Sequence, residues 1–326
     1  MAFRTDQLLL GDRADAEIER ICAWLRDTVL GTLKRRGAVL GLSGGIDSSV
    51  VAALCARAFG PDKVVGLFMN EAESADDTAR LSRLLATHLG IATVDEDISP
   101  LLAAAGCYAR RDQAIRTLIP RYGAGWKCKI VLPSLLDSDR YRIFTLVVRS
   151  PDGEDLSARM PPAVYLQVVA ATSFKQRTRK MLEYFHADRL LYAVAGTPNL
   201  LEYDQGFFVK NGDGAADVKP IAHLYKAQVY ELAAALGVPG EIRARPPTTD
   251  TYSLPQSQEE FYFSLPYQGM DACLYAKDHG VPAAEVAGAL GLTVEQIERV
   301  YRDIDAKRAA ARYLHAPPFV LSPPAP

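Results

Sequence analysis

The sequence has few cysteines, no paired cysteine motif and no long hydrophobic run. Five cysteines lie far apart along the chain, without a Cys-x-x-Cys pair: Cys22, Cys55, Cys107, Cys128 and Cys273. This pattern argues against a disulfide framework or a zinc site and favours a reducing compartment. No apolar stretch is long enough to span a bilayer, and residues 1–15 lack the apolar centre of a signal peptide. We therefore expect a soluble cytoplasmic protein.

The sequence also lacks an excess of charge of either sign. It has 37 Lys and Arg against 39 Asp and Glu, a formal net charge of −2 and a pI near 6.2. Because nucleic acids and anionic membranes attract positively charged surfaces, we expect neither as a partner. The five histidines are scattered, which favours surface or packing positions over metal binding. At 326 residues, 49% of them hydrophobic, the chain can bury a large core.

The stretch Ala38–Phe59, AVLGLSGGIDSSVVAALCARAF, has the pattern of a phosphate-binding loop. Ala38–Leu42 is short, apolar and flanked by glycine, which predicts a buried parallel strand. The turn SGG at 43–45 follows, and Ser48 opens a predicted helix, so that backbone N–H groups and the positive end of a helix dipole converge on the turn. Asp47 lies beside it and is suited to binding a Mg²⁺ ion that bridges phosphates. The Gly-Lys-Ser/Thr of a Walker A loop is absent.

Strands and helices alternate after this loop. Strands are predicted at Val64–Met69 and Ile91–Asp95, with a helix at Asp76–Leu89 between them. A long helix from Tyr165 to about Ala187 leads to a fourth predicted strand at Leu190–Ala195. This alternation indicates an α/β fold with a doubly wound parallel sheet, in which ligands bind at the carboxyl ends of the strands.

We divide the chain into four parts. They are an N-terminal helix in residues 1–36, a core in residues 37–106 and 163–247, an insertion in residues 107–162, and C-terminal loops, helices and a proline-rich tail in residues 248–326. Within the insertion, KCKIVLPS, YRIFTLVVRS and the Pro-Asp-Gly turn at 151–153 predict a small β-hairpin. The insertion is interpreted either as a solvated loop or as a contact surface for a partner chain. Two C-terminal helices are predicted near Pro282–Leu290 and Thr293–Tyr313.

Three further strings follow SGGIDSS in order: FKQRTRKM, GTPNLLE and GFFVKNGDGAADVKPIAHLYKAQVYELAAALGVP. Together they resemble the ammonia-dependent NAD⁺ synthetases of the N-type ATP pyrophosphatase superfamily, over about Gly37–Leu102 and Tyr165–Pro247. The resemblance implies an adenine nucleotide alpha hydrolase-like fold and an ATP-dependent amide ligase. Such an enzyme adenylates the carboxylate of deamido-NAD⁺ and releases pyrophosphate, after which ammonia displaces AMP to form NAD⁺.

The resemblance also implies a set of site residues. The implied ATP contacts are Gly41, Leu42, Ser43, Gly44, Gly45, Ile46, Asp47, Ser48, Thr197, Lys226 and Thr248. The implied deamido-NAD⁺ contacts are Arg177, Lys210, Asp217 and Lys307. Asp47 and Glu202 would bind Mg²⁺, while Asp47, Lys210 and Lys226 would act in catalysis. The reaction requires residues of these types independently of the resemblance. Attack of a carboxylate on the α-phosphate brings two anions together, and metal ions and cationic side chains are needed to neutralise their charge.

Partners and nitrogen source follow from the same resemblance. We expect a homodimer with the acid-binding pocket near the subunit interface. Because the core uses most of the chain, no fused glutaminase domain is expected, and nitrogen would come from free ammonia or from a separate glutaminase subunit.

The ATP-binding strings are intact, whereas the substrate-binding strings depart from the family pattern. Ser173 lies near a usual Asn, Asn211 takes the place of a usual Tyr, and the usual His-Lys-Arg appears as Ala-Lys-Arg at 306–308. A paralogous ligase that adenylates and amidates another carboxylic acid is therefore the alternative. A tRNA-modifying enzyme is disfavoured by the acidic balance and the missing cysteine pair. A non-catalytic nucleotide-binding partner is disfavoured by the presence of Asp47 and Glu202.

Overall fold

The structure, a computed structural model, describes residues 3–74, 76–132, 136, 144–248, 251–263 and 265–321. Its strands are β1 (Ala38–Gly41), β2 (Val64–Phe68), β3 (Ala92–Asp95), β4 (Lys127–Val131), β5 (Thr145–Arg149), β6 (Asp155–Arg159) and β7 (Ala193–Val194). Its α-helices are α1 (Ala14–Leu25), α2 (Ile46–Phe59), α3 (Asp76–Leu89), α4 (Ser99–Ala104), α5 (Cys107–Arg116), α6 (Pro162–Leu190), α7 (Leu200–Gln205), α8 (Lys226–Ala235), α9 (Gly240–Ala244), α10 (Tyr267–Asp278), α11 (Ala283–Leu290) and α12 (Val294–His315). Two π-helical turns lie at Arg26–Thr32 and Glu259–Phe263.

The central sheet is parallel, with the strand order β3-β2-β1-β7. Successive residues of β1 point to opposite faces of this sheet. Leu40 packs with residues of α1, α2, α3 and α8. On the other face, Val39 packs with Leu102 of α4, Ala187 of α6 and Ile98, which directly precedes α4. Helices thus cover both faces, and the predicted doubly wound α/β fold is confirmed.

The fourth predicted strand is much shorter than expected. Helix α6 continues to Leu190, and Leu191 ends it in the left-handed region at φ 58°. The chain becomes extended only after that turn, which leaves the two residues of β7 to pair with β1. The prediction of a strand at Leu190–Ala195 was therefore wrong at its start, because an apolar run does not show where a helix ends.

The insertion contains more structure than the predicted hairpin. Strands β4 and β5 do pair antiparallel, but β5 also pairs with β6, so that the sheet has the order β4-β5-β6. The Pro-Asp-Gly turn at 151–153 joins β5 to β6 rather than closing the hairpin with β4, and Gly153 adopts φ +86° there. Strand β6 is largely exposed. Its weak apolar alternation explains why the sequence pattern missed it.

The C-terminal helices form a second core beside α7. Met270, Leu274, Val286, Ile297 and Ile304 pack together there, with Phe3 and Leu201 against them. Helices α11 and α12 confirm the two predicted C-terminal helices, whereas α10 was not predicted. Within the part of the chain that the structure describes, no helix combines the length and apolarity needed to cross a membrane.

Candidate functional site

The predicted phosphate loop lies between β1 and α2, with Gly45 at the N-cap of the helix. Ser48 Oγ donates a hydrogen bond to the Gly45 carbonyl at 3.1 Å and lies 3.2 Å from Ser43 Oγ, which holds the turn closed. Gly44 adopts φ +67°, and a Cβ there would lie 3.0 Å from the carbonyl oxygen of Thr78. Glycine is therefore required at position 44 by both backbone conformation and packing.

A cavity of about 430 Å³ opens at this loop, at the carboxyl ends of β1 and β2. Many residues predicted from sequence line it: Gly41, Leu42, Ser43, Gly45, Ile46, Asp47, Ser48, Thr197, Glu202, Lys226 and Thr248. Gly44 lies behind the lining. The fold therefore brings together strings that are distant in the sequence, and it does so at the edge where parallel sheets bind ligands.

An ion pair between Lys226 and Asp47 forms part of the cavity wall. Lys226 is the first residue of α8 and is 1% exposed. Burial acts to lower the pKa of Lys226, but the carboxylates of Asp47 and Glu202 outweigh it, so that the pKa is raised above its ordinary value. The lysine is consequently held as a cation beside the phosphate loop.

Asn199 connects Asp47 to Glu202. Its side-chain amide donates to Asp47 Oδ1 at 3.0 Å, and its side-chain oxygen accepts from the Glu202 N–H at 3.2 Å. Glu202 completes the capping box of α7 by accepting from the Asn199 N–H at 3.2 Å. The two carboxylates predicted to share a metal therefore open onto the same cavity.

Burial and the nearby Asp47 carboxylate raise the pKa of Glu202 to about 8. Two carboxylates thus face one lysine, and a further cation would relieve the remaining repulsion. Magnesium is usually held by one or two carboxylates together with substrate phosphates. Among the described residues, no three His, Cys, Asp or Glu side chains form a metal cage. The donor set of Asp47 and Glu202 therefore fits a magnesium ion that is shared with phosphates.

The predicted dinucleotide contacts lie outside the cavity lining in this chain. Lys210 Nζ donates to the carbonyls of Tyr313 at 2.7 Å and Ala316 at 3.1 Å, which caps the end of α12. The other three are held elsewhere: Asp217 accepts from the Val194 N–H at 2.8 Å, Lys307 donates to the Tyr262 carbonyl at 2.8 Å, and Arg177 is exposed on α6. The catalytic role predicted for Lys210 has no support from this placement.

The cavity-wall residues Arg245 and Gln258, and Asn199 next to the wall, are among the residues that the sequence patterns did not identify. Arg245 lines the cavity, and its Nη1 lies 3.4 Å from where a Cβ of Gly44 would be. Gln258 Nε2 donates to Glu202 Oε1 at 2.9 Å. Asn199 carried a usable signal, because Asn-x-x-Glu at the start of a helix is a capping box. Arg245 and Gln258 lie in aperiodic segments, where no sequence pattern identifies partners.

Asp271 binds the N-terminus of α8, the helix that begins with Lys226. Its carboxylate accepts from the backbone N–H of Lys226 at 3.1 Å and of Ala227 at 2.7 Å, at the N-terminus of α8. Burial raises its pKa to about 7, and these two hydrogen bonds only partly oppose that rise. Asp271 therefore positions the helix whose first residue is the buried lysine.

The phosphate loop, the buried lysine and the paired carboxylates define an α/β nucleotide-binding protein suited to ATP cleavage. The sequence model of the family described as NAD synthase matches residues 17–118 and 155–311. The chain belongs to this family, which confirms the resemblance predicted from its motifs.

Individual relatives agree with the family assignment. The chain is 62% identical to the NH(3)-dependent NAD(+) synthetase of Mesorhizobium japonicum over 307 residues, which cover 94% of this chain and 96% of the relative. It is 59% identical to the protein of the same name from Rhizobium meliloti over 323 residues, covering 99% and 96%.

Solved structures share the fold at lower sequence identity. NMN synthetase from Francisella tularensis superposes with a TM-score of 0.63 at 21% identity, covering 95% of this chain and 98% of that one. NH3-dependent NAD synthetase from Campylobacter jejuni superposes with a TM-score of 0.60 at 20% identity, covering 95% and 99%. Because these two names differ in product, the fold alone does not identify the acid that is amidated.

Asp271 provides a test of the site's electrostatics. Its pKa in the folded protein lies above the ordinary value of 3.8, so its bound proton stabilises the fold at low pH, and this contribution is lost between about pH 4 and pH 7. Asp271→Asn removes the titration. The free energy of unfolding of the variant, relative to wild type, should therefore increase across this range and then level off, as measured by urea denaturation without nucleotide. Asp62→Asn, at an exposed position, is the control, and a pH-independent difference for Asp271→Asn would contradict the interpretation.

Proposed function

We propose that this protein is an ammonia-dependent NAD⁺ synthetase, a ligase that amidates deamido-NAD⁺ with ammonia while ATP is cleaved to AMP and pyrophosphate. The observation that carries the proposal is the cavity in which the phosphate loop, Lys226 and the two carboxylates converge. The near full-length identity to relatives of that name favours this acid over the paralogous alternative.

The cavity wall accounts for the first chemical step. The N-terminus of α2 and the turn residues Ser43 and Gly45 face the cavity, and they would provide backbone N–H groups for the two phosphates that leave as pyrophosphate. Lys226 adds a fixed positive charge, which lessens the repulsion when the acid's oxygen bonds to the α-phosphorus and the bond to the leaving pyrophosphate breaks. Ammonia then attacks the acyl carbon of the adenylate, and AMP departs. Because ammonia is itself a nucleophile, the site needs no covalent enzyme intermediate.

Magnesium is the proposed metal cofactor, with Asp47 and Glu202 as its protein ligands. Bound there, it would supply positive charge between the carboxylates and the phosphates. Both carboxylates line the same cavity and are joined through Asn199, which supports this assignment.

A homodimer is proposed to complete the dinucleotide site. Leu166, Met181 and Phe185 on α6 are 63%, 55% and 58% exposed, which is unusual for large apolar side chains on one helix. Arg177 lies one helical turn before Met181 and is also exposed. A partner chain packed on α6 would therefore lie next to a predicted dinucleotide contact, which explains why that residue does not face the cavity of its own chain.

Free ammonia is the proposed nitrogen donor, and the cytoplasm the proposed compartment. The five cysteines are free and buried, as expected for a protein kept in a reducing environment. Cell fractionation of the tagged protein tests the compartment, and recovery outside the cytoplasm would reject it.

Enzyme assays test the reaction directly. Purified protein with ATP, Mg²⁺, ammonium and deamido-NAD⁺ should form NAD⁺ and pyrophosphate in equal amounts, and glutamine should not replace ammonium. Chromatography of the nucleotides and a coupled pyrophosphate assay provide the measurement. If deamido-NAD⁺ fails to stimulate pyrophosphate release while another acid, such as nicotinate mononucleotide, does so, the paralogous ligase is the correct reading.

The carboxylate pair is tested with Glu202→Gln and Asp47→Asn. Each should lower kcat by at least about 100-fold and shift Mg²⁺ activation to higher concentration, because a ligand to the cation is lost. The matched control is Asp204→Asn on α7, the helix that carries Glu202, because the Asp204 carboxylate pairs with Arg308 instead. The kcat of this variant should stay within about threefold of the wild-type value. Turnover that survives both substitutions with an unchanged Mg²⁺ requirement would exclude the proposed metal site.

The dimer is tested with Phe185→Asp. A charge on the exposed apolar face of α6 should convert a dimer to monomers and raise the KM for deamido-NAD⁺, since desolvating an unpaired carboxylate in an interface is costly. Analytical ultracentrifugation gives the mass, and Leu101→Asp, at an exposed position on α4, is the control. A wild-type protein that is monomeric at assay concentration would refute the proposal.

A further inference from the structure

The free edge of the insertion sheet carries the segment 251–263, here called the covering segment. Strand β4 pairs with β5 on one side only. On its other side, the Cys128 carbonyl accepts from the Leu254 N–H at 3.0 Å, and the Cys128 N–H donates to Ser253 Oγ at 2.9 Å. An open strand edge presents such groups in a row, and the covering segment satisfies them.

The contact continues along the whole edge. Gln256 Nε2 donates to the Ile130 carbonyl at 2.5 Å, and the Leu132 N–H donates to the Glu260 carbonyl at 3.2 Å. Lys129 adds an ion pair with the Glu260 carboxylate at 2.6 Å. The covering segment therefore runs along β4 and is joined to it by backbone and side-chain hydrogen bonds, without forming a strand of the sheet.

Packing supports the same attachment. Tyr252 is buried in the core of the insertion together with Cys128, Ile130 and Val148, and Phe261 packs against that core. The Tyr252 and Phe261 rings meet edge to face, with centroids 5.6 Å apart. Apolar burial thus adds to the hydrogen bonds that hold the covering segment to the sheet.

The covering segment also forms part of the ATP cavity wall. Its lining residues are Thr251, Tyr252, Gln258, Phe261 and Tyr262. Gln258 bonds directly to Glu202, and the Thr251 carbonyl accepts from the buried Lys175 at 3.1 Å. One short segment therefore contacts the insertion sheet on one side and the candidate metal ligand on the other.

Two strands of this sheet lie outside the match to the family model. The match to the family omits residues 119–154, which contain β4 and β5. The covering segment itself lies within the matched part. The unmatched strands β4 and β5 therefore lie in contact with a segment of the matched core, whereas β6 belongs to the matched part.

We propose that the edge of β4 positions the covering segment over the ATP cavity, with Lys129 and Gln256 as positioning residues for the reaction. The inference rests on the proposed function for its kinetic consequences, although the attachment itself does not. Without the edge, the covering segment would keep its contacts with the core, such as Tyr262 with Gln205 and Gln258 with Glu202, but would lose the hydrogen bonds and the ion pair with β4, so that ordering it would cost more chain entropy per remaining contact.

The test uses charge reversal of the Lys129–Glu260 pair in the full-length protein. Lys129→Glu and Glu260→Lys should each lower kcat/KM for ATP about tenfold, because like charges then meet at the edge, and the double reversal should restore it to within about threefold. Circular dichroism establishes that each variant is folded. Hydrogen exchange of peptides from 251–263 should be faster in the single variants and return to the wild-type rate in the double variant.

Arg121→Glu is the control. It reverses the charge of one partner in the ion pair Arg121–Glu154, whose 2.6 Å separation equals that of Lys129–Glu260. Both residues of this control pair belong to the insertion and neither to the covering segment. Exchange in 251–263 that is unchanged by Lys129→Glu, or accelerated equally by Arg121→Glu, would overturn the inference. Absence of NAD⁺ formation by the wild type would instead reject the proposed function, and the exchange data would still decide whether the edge of β4 orders the covering segment.

Discussion

The buried ion pair between Lys226 and Asp47 is the interaction on which the site depends. A buried lysine without a carboxylate partner would lose its charge, and a buried carboxylate pair without the lysine would take up protons. The pair joins the start of α2 to the start of α8, two helices that begin at the same edge of the sheet. Helix N-termini, which favour anions, are therefore brought together with the cation that an ATP-cleaving site requires.

Capping interactions extend this pair into a network. Asn199 caps α7 and contacts Asp47, while Asp271 caps α8 behind Lys226. Each of these polar groups satisfies helix-end N–H groups that would otherwise be buried without partners. Because the same bonds end the helices and orient the functional groups, the geometry of the site is a consequence of the fold's own helix boundaries.

Local sequence patterns indicate those parts of the site whose residues follow one another in the chain. The Ser43–Ser48 turn could be identified because strand, glycines and helix follow one another within a few residues. Glu202, predicted through a resemblance that extends over several strings, lines the same cavity. Lys210, predicted from the same resemblance, donates to carbonyls at the end of α12 in this structure, and no pattern in its own stretch of sequence indicates that contact. Strand β6 and Gln258 were missed because their partners are distant in the chain and their own segments show no periodicity.

By itself, the sequence determined the alternation of strands and helices, the glycine turn between β1 and α2, and the family of the chain, since each depends on short, contiguous patterns. The tertiary structure decided which polar side chains share one cavity, where α6 ends and β7 begins, and how the insertion sheet contacts the covering segment. Those outcomes depend on contacts between residues far apart in the chain, such as Asn199 with Asp47 and Gln258 with Glu202, whose energies arise only when folding excludes water from both partners.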